Sequence, residues 1–182
     1  FTHQGLGHMS RLFHRAIRLN LCRGPWKDAR RPILINNWEA TLFDFDADKI
    51  YSIAQAASKV GVEMMVMDDG WFGQRNDDFG GLGDWNVNQE KLPGGLAPLA
   101  ERIKGLGMKF GIWVEPEMVN ENSDLYRAHP DWAFQAPGRP VTRGRYQLVL
   151  DLTRSAVRQY ILDNLRAMLK SADISYVKLD MN

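Results

Sequence analysis

The chain has 182 residues, 45% hydrophobic and 25% charged, enough to bury a sizeable core within one domain. Its 23 Lys and Arg against 22 Asp and Glu leave a formal net charge of +1, so no global field favours nucleic acid or an anionic membrane. A single cysteine, Cys22, excludes an intrachain disulfide, and no apolar run approaches the roughly 18 residues that would span a bilayer. No signal peptide is visible, although the chain opens on Phe1 rather than Met, and a cytoplasmic location is the resulting expectation.

Residues 1–31 are basic, and Leu12, Phe13, Ala16, Ile17 and Leu19 fall at a helical period within Met9–Leu21. They predict a lead-in segment, partly helical, that packs against the rest of the chain and ends near Gly24-Pro25. Over residues 32–182 a strand, a loop and a helix alternate. The apolar run Pro32–Trp38 precedes a helical period over Asp46–Val60, closed by Gly61. Val62–Met67 ends in Asp68-Asp69-Gly70-Trp71, and after a Gly- and Asp-rich loop Leu96–Leu106 reads as a helix stopped by Gly107. Met108–Val114 ends in Glu115-Pro116-Glu117, followed by a short helix around Ser123–Ala128 and an extra short strand over Gln147–Leu150. Thr153–Lys170 is the clearest helix, with Thr153 as its cap and Val157, Ile161, Leu165, Met168 and Leu169 on one face. A last apolar run, Ile174–Asp180, reaches the end of the chain.

This alternation predicts an α/β fold with a parallel sheet, and near-continuous apolar strands fit a sheet covered on both faces. Periodicity alone leaves a doubly wound sheet and a barrel equally open. The loops favour the barrel, because the polar clusters all follow strand ends, which converge on one face in a (β/α)8 barrel. No Gly-rich phosphate loop follows the first strand. The expected architecture is a (β/α)4 half of a TIM (β/α)8 barrel, with parallel strands and outer helices.

Asp68 and Asp69 are adjacent at a strand end, so alternation sends their side chains in different directions. Carboxylates accept bonds from hydroxyls and a neighbouring indole packs on the C–H face of a ring, which suits a sugar. Asp-Gly is also a common turn pair, and both readings stand. Lys178 and Asp180 share a face of the last strand while Leu179 points away; the ammonium keeps the carboxylate ionised, as a nucleophile requires, or forms an ordinary ion pair. Arg145 supplies a fixed charge to a ligand or is a solvated loop arginine. Trp113 and Asp84-Trp85 line a pocket or belong to the core. His3, His8, His14 and His129 show no metal-ligand spacing.

The segments RPILINNWEATLFDF (31–45), MDDGWFGQRNDDFGGLGDWNVNQEKLPGGL (67–96), GIWVEPEMVNENSDLYRAHPDW (111–132), RYQLVLDLTR (145–154) and YVKLDMN (176–182) closely resemble glycoside hydrolase family 36, retaining α-galactosidases with a (β/α)8 catalytic domain. The resemblance implies that Asp180 is the nucleophile and that Lys178 binds galactose hydroxyls. It also implies that Asp68 and Asp69 hold the hydroxyls that distinguish galactose from glucose, that Trp38 packs on the sugar, and that Arg145 and Asn182 contact it. No metal or organic cofactor is implied. Leu179 stands where the family usually has tryptophan, and its outward direction predicts a packing change rather than lost chemistry.

The family's acid/base aspartate falls beyond residue 182, whereas retaining hydrolysis needs two carboxyl groups roughly 5–5.5 Å apart. The resemblance therefore implies a fragment of a retaining α-galactosidase, inactive by itself, that acts on α-galactosides through a galactosyl-Asp180 intermediate. The alternative is a self-assembling half-barrel whose open strand edges pair into a homodimer. A non-catalytic galactose-binding module is a third reading.

Overall fold

The computed structural model describes residues 2–181, so Asn182 lies outside the described residues. The chain divides into two compact units, residues 1–32 and 33–182. In the first, α1 (Gly5–Asn20) begins four residues before the predicted Met9, and its end is closed by the Leu21 and Cys22 amides, which both donate to the Ile17 carbonyl. A 3₁₀ turn, Pro25–Lys27, comes next.

The second unit is built on strands β1 (Leu34–Asn36), β2 (Met64–Met67) and β3 (Lys109–Val114), then an antiparallel pair β4 (Met118–Asn120) and β5 (Gln147–Val149), and finally β6 (Tyr176–Leu179). The main sheet runs β1-β2-β3-β6 with every neighbour parallel. That order decides between the architectures that periodicity leaves open. A doubly wound sheet reverses direction from its first strand, whereas consecutive barrel staves follow the chain one after another. The sheet has the order of a partial barrel.

Helices α3 (Ala47–Ser58), α4 (Leu96–Lys104) and α6 (Ser155–Ser171) connect these strands. Ile50, Ala54 and Ala57 of α3 and Leu96, Leu99 and Ile103 of α4 bury one stripe each against Met65, Met67, Phe110 and Ile112 of the sheet. All four residues of β2 are buried, as a strand covered on both faces requires. Asp46 caps α3 by accepting from the Lys49 amide, and Ser123 caps α5 (Asp124–Ala128) by accepting from the Tyr126 amide. The Asp84 carboxylate accepts from the Asp124 and Leu125 amides of the same helix, which makes it an anchor for α5.

Three details depart from expectation. Thr153 does not cap α6: its amide and hydroxyl both donate to the Asp151 carboxylate, a stronger acceptor two residues back, and the helix starts at Ser155. Leu169 is exposed while Val157 and Met168 are buried, so the inward stripe of α6 is narrower than its apolar pattern. Strand β4, unmarked by any long apolar run, forms because β5 pairs with it antiparallel and Val119 and Leu148 share a small second core.

Candidate active site

The strand tips gather the polar clusters into one pocket, lined among others by Trp38, Asp68, Trp113, Arg145, Lys178 and Asp180. Trp38 opens the short helix α2 (Trp38–Thr41), where its amide donates to the Asn36 side chain and its ring meets Phe43 edge-on at 5.0 Å. Asn37, fully buried, accepts from the Asp68 amide at 2.8 Å, which locks the tip of β1 to that of β2.

Asp68 is buried and faces Lys178, whose ammonium donates to Oδ2 at 2.9 Å; the Asn36 side-chain amide donates to the same oxygen. The Lys178 ammonium also lies 3.6 Å from the Asp180 carboxylate, so one cation bridges two carboxylates. Burial alone would depress Lys178, but the Asp68 hydrogen bond and the two negative charges outweigh it and raise its pKa. Asp180 receives the Trp113 indole N–H at 3.0 Å on Oδ2 and the Met181 amide at 3.0 Å on Oδ1. Partial burial pushes its carboxyl up, yet these two bonds and the Lys178 charge prevail and hold it below the ordinary aspartate value. Leu179, on the opposite face, is 68% exposed.

Asp69 turns away from Asp68, as alternation demands, into a bidentate pair with Arg75: Nε lies 3.0 Å from Oδ1 and Nη2 2.8 Å from Oδ2. Both side chains are buried, and burial pushes the Asp69 carboxyl up against the pull of the guanidinium. Gly81, at φ +80°, permits this packing, because a Cβ there would lie 2.7 Å from the Arg75 amide nitrogen. Arg145 reaches the pocket from a turn before β5, with Nη2 3.6 Å from the Asp78 carboxylate. Lys91 ties the surrounding loops by donating to the carbonyls of Phe43, Gly70 and Arg75, and burial lowers its pKa.

Not every aromatic near a carboxylate faces the pocket. Trp71, beside the tandem aspartates, is fully buried and donates to the Trp113 carbonyl, so its face cannot meet a ligand. The indoles that do line the pocket are Trp38 and Trp113, and Phe72, stacked 6.2 Å from Trp113, holds the second from behind. Trp85 joins that aromatic cluster and belongs to the core. Sequence reasoning did not single out Arg75 or Gln147, whose side chain is buried and donates to Glu115 at 3.3 Å. Among the described residues no group of His, Cys, Asp and Glu is arranged to hold a metal ion, and no helix is long and apolar enough to cross a membrane.

The melibiase family model matches residues 1–182. The chain belongs to the melibiase family. It is 54% identical over its whole length to "Alpha-galactosidase AgaA" of Geobacillus stearothermophilus and 51% identical to the "Bifunctional alpha-galactosidase/sucrose kinase AgaSK" of Mediterraneibacter gnavus. A crystal structure of an AgaA variant in complex with raffinose superposes over the full chain with a TM-score of 0.94 at 54% identity. The chain spans 25% of the AgaA sequence and 20% of AgaSK, about a quarter or less of these curated relatives.

Proposed function

We propose that residues 32–182 form part of the catalytic barrel of a retaining α-galactosidase, that the pocket binds the terminal galactosyl unit of an α-galactoside such as raffinose, and that Asp180 attacks the anomeric carbon. The observation that carries this reading is the Lys178 ammonium set between Asp68 and Asp180, with the Trp113 N–H on the attacking carboxylate. In the first step an Asp180 oxygen bonds to the anomeric carbon as the bond to the leaving oxygen breaks, and a general acid protonates that oxygen. Water then hydrolyses the galactosyl ester. Asp68 and Lys178 offer an acceptor and a donor to neighbouring hydroxyls, Arg145 adds a further polar contact, and Trp38 supplies the apolar face. Asp69, held by Arg75, shapes the wall of the pocket and can still accept from a hydroxyl through a remaining lone pair.

A fluorinated galactosyl fluoride tests the first step without an acid, since fluoride leaves unprotonated. Incubated with 5-fluoro-α-galactosyl fluoride, which releases its anomeric fluoride to solvent, the chain acquires one 5-fluorogalactosyl adduct on the peptide containing Asp180, read by mass spectrometry. Because the pKa of Asp180 is lowered, the labelling rate stays flat as pH falls from 8 and declines only below about 3.9, the ordinary aspartate value. No adduct, or a midpoint near neutrality, would refute the assignment.

A second reading is favoured by the outer strands. Ile33 and Leu34 beside and on β1, and Leu179 and Met181 on and beyond β6, are exposed apolar side chains at the two edges of the sheet. Such edges pair readily, and two copies joined through them would form a homodimer. Sedimentation equilibrium at micromolar concentration then gives twice the 20.8 kDa chain mass; a monomer counts against self-association.

A further inference from the structure

Arg145 and Tyr146 form a two-residue turn closed by reciprocal backbone bonds between Gly144 and Gln147, and both central residues lie at positive φ, +45° and +65°. Turns of this kind favour Asn-Gly, because side chains beyond Asn or Asp are strained there. Two bulky residues are kept in it by three attachments to the 75–80 loop and β4. The Tyr146 ring packs 4.3 Å from Phe79. The buried Asn120 side chain donates to the Tyr146 carbonyl at 3.0 Å and to the Asp78 carbonyl at 3.2 Å, which clamps the two segments together. The third attachment is Asp78 itself. Its Oδ1 is buried, makes no hydrogen bond, and lies 3.6 Å from the Arg145 guanidinium and 3.7 Å from that of Arg75. Charges of alternating sign thus run Asp69, Arg75, Asp78, Arg145 around the pocket.

We propose that Asp78 is a positioning residue for galactoside binding: its carboxylate, between the two guanidinium groups, holds Arg145 over the pocket from a strained turn. An arginine has many rotamers to lose, and a fixed anion beside it reduces what binding must order. The inference rests on the galactoside reading and adds to it a residue that does not itself touch the sugar. Asn replaces the Asp78 carboxylate without altering its size or the backbone carbonyl bonded by Asn120.

The test is calorimetric titration of the chain with galactose, using Asp78→Asn, Asp78→Glu, Arg145→Ala and the double variant Asp78→Asn/Arg145→Ala. Asp78→Asn weakens binding about tenfold and Asp78→Glu recovers part of the loss. Arg145→Ala weakens it further, and the double variant binds no more weakly than Arg145→Ala, because Arg75, the other guanidinium beside Asp78, stays held by Asp69, Gly80 and Asn120 without it. Thermal unfolding of Asp78→Asn stays within a few degrees of the parent, which separates positioning from a structural role. Unchanged affinity in Asp78→Asn beside a loss in Arg145→Ala overturns the role of Asp78 and leaves the galactoside reading standing. Additive losses in the double variant do the same. A parent chain that unfolds cooperatively yet binds no galactose overturns the galactoside reading, and this inference with it.

Discussion

Asp180→Asn slows covalent labelling by 5-fluoro-α-galactosyl fluoride by roughly 10³-fold or more, while the fold stays intact. The amide has nearly the carboxylate's shape but is neutral, so it cannot supply the anionic oxygen that bonds to the anomeric carbon. A loss of that size corresponds to about 4 kcal/mol of transition-state stabilisation. The surroundings predict that the loss is chemical and not structural. The Trp113 indole can still donate to the amide oxygen, and Lys178 keeps its 2.9 Å bond to Asp68. The Asp180 side chain is 42% exposed, so its pairing with Lys178 contributes little to stability. The measurement is the rate of adduct formation beside a thermal melt of the same variant. Labelling that persists in Asp180→Asn on Glu115 or Glu117 would move the nucleophile to another strand. Glu117 is disfavoured for that role, because burial and the Asp180 charge raise its pKa.

What the sequence revealed, and what it hid, obeys one physical division. Short-range periodicity marks the four strands of the main sheet and helices α3, α4 and α6, since each leaves an apolar repeat in the chain even where, as on β1 and β6, little of it is buried. The polar tips of those strands are equally visible: Asn36, Asp68 and Asp180 are set by strand direction alone. Trp38, Lys178 and Asp180 meet in one pocket because the sheet is parallel and sequential. Long-range pairing is where local reading stopped. Trp71 follows β2 and Trp113 sits within β3, and both are buried; yet Trp71 donates its N–H to the Trp113 carbonyl while Trp113 donates to Asp180, a difference that spacing does not rank. Arg75 sits in a loop of Gly, Asn and Asp where solvation is the ordinary expectation for an arginine. Its burial depends on Asn120, 45 residues away, and on the close approach of Gly81. Thr153 has the composition of a cap but loses the competition to Asp151, a rivalry that spacing alone does not rank.

The buried pair of Arg75 and Asp69 gives the largest stability effect expected in the chain. Arg75 is 1% exposed, and its guanidinium donates to both Asp69 oxygens, to the Gly80 carbonyl at 3.2 Å and to the Asn120 side chain at 3.1 Å. Arg75→Met keeps much of the apolar stem but strands Asp69, 5% exposed, as an unpaired buried carboxylate. Breaking one side of such a pair costs about 3–5 kcal/mol, a large share of a domain's usual stability of roughly 5–15 kcal/mol. In a chain of this length that lowers the melting midpoint by about 10 °C. The penalty depends on pH in a direction that identifies its source. Burial already raises Asp69 in the parent, and without the guanidinium it rises further above its unfolded value. A carboxyl raised in the folded state is uncharged and tolerated at low pH, then destabilises the fold as pH climbs past the unfolded value of about 3.9. The gap between Arg75→Met and the parent is therefore narrow at pH 4 and widest near neutrality. Asp69→Leu/Arg75→Met, which removes both charges, recovers most of the loss at pH 7, because an apolar pair of similar volume carries no desolvation cost. Chemical denaturation of the three proteins at pH 4 and pH 7 measures each of these differences. A gap independent of pH, with no recovery in the double variant, would trace the loss to the Gly80 and Asn120 bonds and leave the Asp69 charge without a part in it.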